Sequence, residues 1–149
     1  MRKYSWLPDM WIEDLVKNKT FIDVGGVAYT YNEKISIAHE SGAKDLTMLD
    51  VAGLYDKSKI DADDSAWLAF HQRMKEKKIE NYHSIKANID NVHLGIYDLV
   101  HCNGVIYHTP NPLHTLKKNI KYYKKIFNIR NYKNPRTDRD RRKCFREPT

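Results

Sequence analysis

The residues of this sequence that could carry chemistry are two glycines, a few carboxylates and a polar run near position 101. Gly25-Gly26 follows an apolar run, Thr20–Val24. Glycine lets a backbone turn sharply and lets a ligand approach the main chain. Asp50 stands 25 residues past Gly25, after a second apolar run, Leu46–Leu49. A carboxylate there is acceptor-only and can take hydrogen bonds from both hydroxyls of a ribose. Asn88, or the backbone of Ile89, could reach an adenine edge. Each feature also has a plainer use, the glycines as a turn and the aspartate as a cap or turn former. Their conjunction, glycines after one strand and an acid after the next, points to a nucleoside-containing ligand. No G-x-G-x-x-G is present, because Val27, Ala28 and Tyr29 follow the glycine pair, and G-x-x-x-x-G-K-[ST] is absent too. Without a phosphate-cradling loop, NAD and ATP are disfavoured.

Other chemistries find less support. The seven histidines, His39, His71, His83, His93, His101, His108 and His114, make no i,i+4 pair with a carboxylate on a helix. Neither cysteine, Cys102 nor Cys144, joins them with metal-ligand spacing, so no metal site is expected. Cys102 lies near His101 and His108, yet nothing marks it as an activated thiolate. Two cysteines give no disulfide framework, and a reducing, cytoplasmic setting is the default.

The elements that must position these residues can be read from periodicity. Trp6 to Lys17 has the 3–4 spacing of a short amphipathic helix, with Pro8 and Asp9 at its start. Thr20–Val24 reads as a buried strand. A helix follows from about Asn32 to His39, with Gly42 as its stop, and then the strand Leu46–Leu49, ending at Asp50. Residues 51–62 are a polar connection. Asp63-Asp64-Ser65 predicts a helix N-cap, and Ala66–Lys78 the helix. Tyr82–Ala87 is a third strand closed by the turn Asn88–Asn91, Tyr97–Cys102 a fourth, and Leu113–Tyr123 a further helix. Strands alternating with helices at this spacing predict a Rossmann-like, doubly wound α/β fold. The sheet is expected to be mainly parallel, of four to five strands, with helices on both faces. Such a sheet binds ligands outside the carboxyl ends of its strands, where Asp23, Asp50, Asn88, Asp90 and the run from His101 to Tyr107 all fall.

At 149 residues the length fits one domain, and 41% hydrophobic residues suffice for a core. No run approaches the ~20 apolar residues of a membrane span, so no membrane association is expected. The N-terminus, which meets Asp9 before any apolar run, does not read as a secretion signal. The net charge of +7 is unevenly spread: residues 1–116 carry −3 and residues 117–149 carry +10. This divides the chain into a folded domain, 1–124, and a segment 125–149 that starts with a candidate strand over 125–132. Beyond it lies a basic tail, either a solubilising end or a contact for a polyanion. Arg130, Lys133, Arg136, Arg139, Arg141, Arg142, Lys143 and Arg146, interleaved with Tyr132 and Phe145, suit RNA phosphates and stacked bases over residues 130–146.

Phe21-Ile22-Asp23-Val24-Gly25-Gly26 resembles motif I of the class I S-adenosylmethionine-dependent methyltransferases, and Asp50 matches the acid after their second strand. The segment from Tyr97 to Leu113 resembles "D-hydrophobic-V-x-x-x-G-V-L-Y-H-x-x-x-P" of the branch that includes the tRNA wobble-uridine carboxymethyltransferase-like proteins. The resemblance spans about residues 5–120. It implies S-adenosylmethionine as cofactor, with Asp23, Gly25 and Gly26 at its methionine end and Asp50 on its ribose. Asn88 and Ile89 would flank adenine, and His101, Cys102, Asn103 and Gly104 would close over the sulfonium side. Tyr107 and His108 would face the acceptor, with His108 the candidate general base. Tyr29 departs from the pattern, near a position where the family commonly has glycine. So does the strand count, since the family's sheet usually has seven strands. The chain is therefore expected to be a shortened form of that fold, with an apolar sheet edge at its fourth strand that either residues 125–132 or a homodimer partner would cover, failing which the fold is marginal. The expected function is methyl transfer to an unidentified acceptor. The alternative is a non-catalytic cofactor-binding remnant or an RNA-binding protein using its basic tail.

Overall fold

Thr20–Val24 and Asp45–Asp50 are short apolar runs bounded by turn residues, and both fold as strands, β1 and β2. The computed structural model describes residues 7–28, 33–53, 64–102 and 105–121. Their order is helix α1 (Leu7–Leu15), β1, helix α2 (Ile35–Glu40), β2, helix α3 (Ser65–Glu76), strand β3 (His83–Lys86), strand β4 (Leu99–Cys102), a 3-10 turn (Ile106–His108) and helix α4 (Pro112–Lys121). The four strands make one sheet in the order β3-β2-β1-β4, and every pairing is parallel. Strand order reverses between β1 and β4. In register, Asp23 of β1 stands beside Met48 of β2 and His101 of β4.

Alternation along the strands sorts the core into two layers. Phe21, Leu46 and Met48 face a cluster with Ile12, Val16, Val27, Ile35, Ala38, Trp67, Phe70, Met74 and Ile79, so α1, α2 and α3 cover one face. Ile22, Val24 and Leu49 face a second cluster with Ile89, bordered by Ile85, Val92, Leu94, Tyr97, Val100 and Cys102. On that face α4 is tied to the loop after β3 by a hydrogen bond from Thr115 Oγ1 to Asp90 Oδ1, 2.8 Å. The α/β architecture with helices on both faces is thus the one the sequence predicts. Among the described residues, the order β3-β2-β1-β4 places β3 and β4 at the edges of the sheet.

Chain ends of the elements follow from local chemistry. Helix α2 stops as expected at Gly42, whose φ of +82° supports a paired closure: Gly42 N–H donates to His39 O (3.0 Å) and Ala43 N–H to Ala38 O (2.9 Å). Helix α3 ends the same way at Lys78, with φ of +57°, although lysine carries a Cβ into that conformation. One expectation is corrected. Helix α3 does begin after Asp64, but the Asp64 side chain makes no cap hydrogen bond. Its carboxylate instead pairs with Lys86 Nζ at 2.7 Å, because the parallel β2–β3 crossover brings the end of β3 beside the start of α3.

The segment 122–149 lies outside the described residues, and with it the candidate strand 125–132 and the basic tail. So do residues 54–63 of the polar connection, Tyr29, Asn103 and Gly104. Among the described residues no helix is long and apolar enough to cross a membrane.

Candidate functional site

The carboxyl end of β1 is built around a buried carboxylate. Asp23 is fully buried, and a buried charge needs partners. Its Oδ2 accepts the backbone N–H of Lys34 at 2.8 Å, and its Oδ1 lies 2.8 Å from His101 Nδ1. The glycine turn follows directly. Gly25 has φ of +85°, a conformation that favours glycine. Gly26 is demanded by space: a Cβ there would sit 2.4 Å from Asp23 Oδ2 and 3.2 Å from Met48 Cε. The turn is held to the sheet by Gly25 N–H donating to Leu49 O, 2.8 Å.

Asp50 closes β2 and ties two loops together. Its Oδ2 accepts Val27 N–H at 3.0 Å and its Oδ1 accepts Ala52 N–H at 2.9 Å. A carboxylate has about four acceptor positions, so each oxygen keeps one beyond these bonds. Helix α3 braces both loops: Arg73 Nη2 donates to Val27 O (3.0 Å) and Trp67 Nε1 to Ala52 O (3.1 Å). At the end of β3, Ala87 N–H donates to Asp50 O (3.0 Å), which brings Asn88 beside the same strand end. Asn88 Oδ1 accepts Asp90 N–H at 2.9 Å and so shapes the turn. Ile89 buries its side chain among Ile22, Val24 and Leu49.

The sequence-predicted residues Asp23, Gly25, Gly26, Asp50, Asn88, Ile89, His101 and Cys102 therefore lie at one end of the sheet, on adjacent strands. His108 is exposed in the 3-10 turn, and the Tyr107 side chain lies outside the described residues, as do Asn103 and Gly104. Burial, with the Asp23 charge adding to it, pushes the Cys102 thiol up to about 11, while a hydrogen bond with Asn119 works the other way. Cys102 is accordingly a thiol at neutral pH, not a nucleophilic thiolate.

Three participants escape sequence reasoning. Glu33 is buried, and its two oxygens accept from Ser36 N–H (2.6 Å) and Ser36 Oγ (2.7 Å) at the start of α2. Desolvation by burial raises its carboxyl above the ordinary value, Asp23 adds to the rise, and the Ser36 bonds oppose it. The three-residue spacing of Glu33 and Ser36 is the signal that could have found it. Lys34 is buried as well, its Nζ 2.8 Å from Asp9 Oδ1 of α1. Nothing in the sequence marks Lys34 or Arg73, because their partners are set by packing.

No protein-family model matches this chain, and no curated protein sequence does. Solved structures match by shape. A candidate RNA methyltransferase from Pyrococcus horikoshii superposes with a TM-score of 0.56 at 16% identity, over 78% of this chain and 52% of its own. An rRNA methylase from Streptococcus thermophilus superposes with a TM-score of 0.52 at 14% identity, over 78% of this chain and 63% of its own. This chain thus spans about half to two thirds of the length of those proteins, and what it shares with them is a Rossmann-like α/β fold.

Proposed function

We propose that this chain binds S-adenosylmethionine at the carboxyl ends of β1, β2 and β3 and serves methyl transfer. The observation that carries this reading is the pairing of Gly26, which no Cβ can replace beside Asp23, with Asp50 at the end of the next strand. The first packs the turn after β1 tightly onto the Asp23 carboxylate, at the point where strand order reverses and an open parallel sheet takes its ligand. The second keeps acceptor positions for a ribose diol. Asn88 and the Ile89 backbone stand where an adenine edge would follow. When bound, the cofactor supplies an electrophilic methyl group on a sulfonium, and the chain's task is alignment of donor and acceptor. The resemblance of Tyr97–Leu113 to the tRNA wobble-uridine carboxymethyltransferase-like branch supports an RNA acceptor. So does the fold's likeness to the candidate RNA methyltransferase and the rRNA methylase.

Calorimetric titration with S-adenosylmethionine and S-adenosylhomocysteine tests the reading. Wild-type protein is expected to bind both, and Asp50→Ala neither. Asp50→Asn keeps one acceptor for the loops and loses the charge. Weakening one charge-assisted bond, about 1.5–3 kcal/mol, raises Kd about ten- to a hundredfold. Folded wild-type protein that binds neither ligand would sink the proposal.

A second reading rests on the +10 balance of residues 117–149. In it the basic segment binds RNA, by itself or to deliver an acceptor to the site. Such binding weakens steeply with salt. Deleting residues 130–149 is expected to lower RNA affinity and flatten the salt dependence; unchanged affinity would remove the role.

A further inference from the structure

We infer that His101 is the proton acceptor of this site, held by the buried Asp23 carboxylate with its Nε2 unprotonated, and that the acceptor substrate is an O–H or N–H nucleophile that must lose a proton. The inference rests on the methyl-transfer reading above and adds to it a base and a class of acceptor.

The geometry is that of an imidazole oriented by a carboxylate. Asp23 and His101 are register partners on adjacent strands, each the penultimate residue of its strand. Asp23 is fully buried and both its oxygens are engaged, Oδ2 by Lys34 N–H and Oδ1 by His101 Nδ1, each at 2.8 Å. An ionised carboxylate only accepts hydrogen bonds, so the proton between the two groups belongs to Nδ1. Neutral His101 then carries its lone pair on Nε2. The His101 side chain is 13% exposed, and among the described residues Nε2 has no hydrogen-bond partner. A carboxylate that fixes the tautomer and steadies the imidazolium is the arrangement that makes histidine an effective base. The charged or titratable groups gathered there are Asp23 itself, Glu33 near it and Cys102 next in the strand. Cys102 stays protonated and does not compete for the role. His108, the base the sequence suggests, is exposed in the 3-10 turn.

The acceptor's oxygen or nitrogen forms a bond to the methyl carbon. The carbon–sulfur bond breaks with its electron pair remaining on sulfur. The acceptor's proton passes to His101 Nε2, giving an imidazolium paired with Asp23, and solvent later removes it. An acceptor already nucleophilic without proton loss, such as a thioether, would gain nothing from this base.

The test is nitrogen NMR of the imidazole rings in the full-length, isotopically labelled protein, read with and without S-adenosylhomocysteine. Neutral His101 is expected as the Nδ1–H tautomer, and its ring signals are expected to shift when S-adenosylhomocysteine binds. Asp23→Asn is expected to invert the tautomer. Lys34 N–H claims the one carbonyl oxygen of the asparagine, which turns the NH2 toward Nδ1 and drives the proton to Nε2. A wild-type Nε2–H tautomer overturns the inference whether or not that variant folds. An Asp23→Asn tautomer that stays Nδ1–H overturns it as well. Calorimetric binding of S-adenosylhomocysteine with unmoved His101 signals overturns this inference alone, whereas no binding by folded protein overturns the methyl-transfer reading with it.

Discussion

Replacing Gly26 with alanine tests the site's construction more sharply than any other single change. The new Cβ would lie 2.4 Å from Asp23 Oδ2, 3.0 Å from Asp23 Cγ and 3.2 Å from Met48 Cε. The methionine end can yield, being the tip of a flexible side chain. The carboxylate cannot yield freely, because its two oxygens hold Lys34 N–H and His101 Nδ1 at 2.8 Å each. Either the loop shifts, or Asp23 rotates and a buried charge-assisted hydrogen bond is lost. Overpacking of this kind costs about 1–3 kcal/mol, and a lost bond to a charged group about 1.5–3 kcal/mol. The effects are alternatives in part, so the expected destabilisation is about 2–4 kcal/mol. Urea denaturation followed by circular dichroism reads it as a lower midpoint with an unchanged slope. Gly95→Ala is the control, since a Cβ there meets nothing within 4 Å, and it is expected to change stability by no more than about 0.5 kcal/mol. A Gly26→Ala protein as stable as the Gly95→Ala protein would refute the close approach of backbone and carboxylate on which the site is built.

Three further outcomes follow from the structure. Lys78→Gly relieves a left-handed conformation at the end of α3. It is expected to stabilise by about 0.5–1 kcal/mol, the left-handed penalty less the entropy of glycine, and a lowered urea midpoint would contradict this. Burial raises the Glu33 carboxyl above 4.5, so the folded state binds more protons than the unfolded state between 4.5 and its raised value. Stability from this group therefore falls as pH rises through that window, and Glu33→Gln is expected to flatten that part of the pH–stability curve. Cys102, pushed up to about 11, is expected to react with iodoacetamide in folded protein far more slowly than in urea at pH 8. Equal rates, assayed by mass spectrometry of the modified peptide, would contradict its burial.

The strands and their end residues were legible in the sequence because short apolar runs bounded by glycine, aspartate and asparagine have few other folds. Thr20–Val24 forms β1 with the predicted bounds, and Asp50 ends β2 as expected. The stop at Gly42 was legible for the same local reason, a left-handed residue that glycine accepts. Partnerships across the chain were not. Asp64 had the look of a helix cap, yet Lys86 claims its carboxylate, because the crossover from β2 to β3 sets them side by side. Asp23 reads as a strand-end acid, while its bond to His101, 78 residues away, exists only because β4 pairs with β1 in that register. Local conformational preference is written in neighbouring residues; the choice of hydrogen-bond partner depends on which strands lie adjacent, and only tertiary packing decides that.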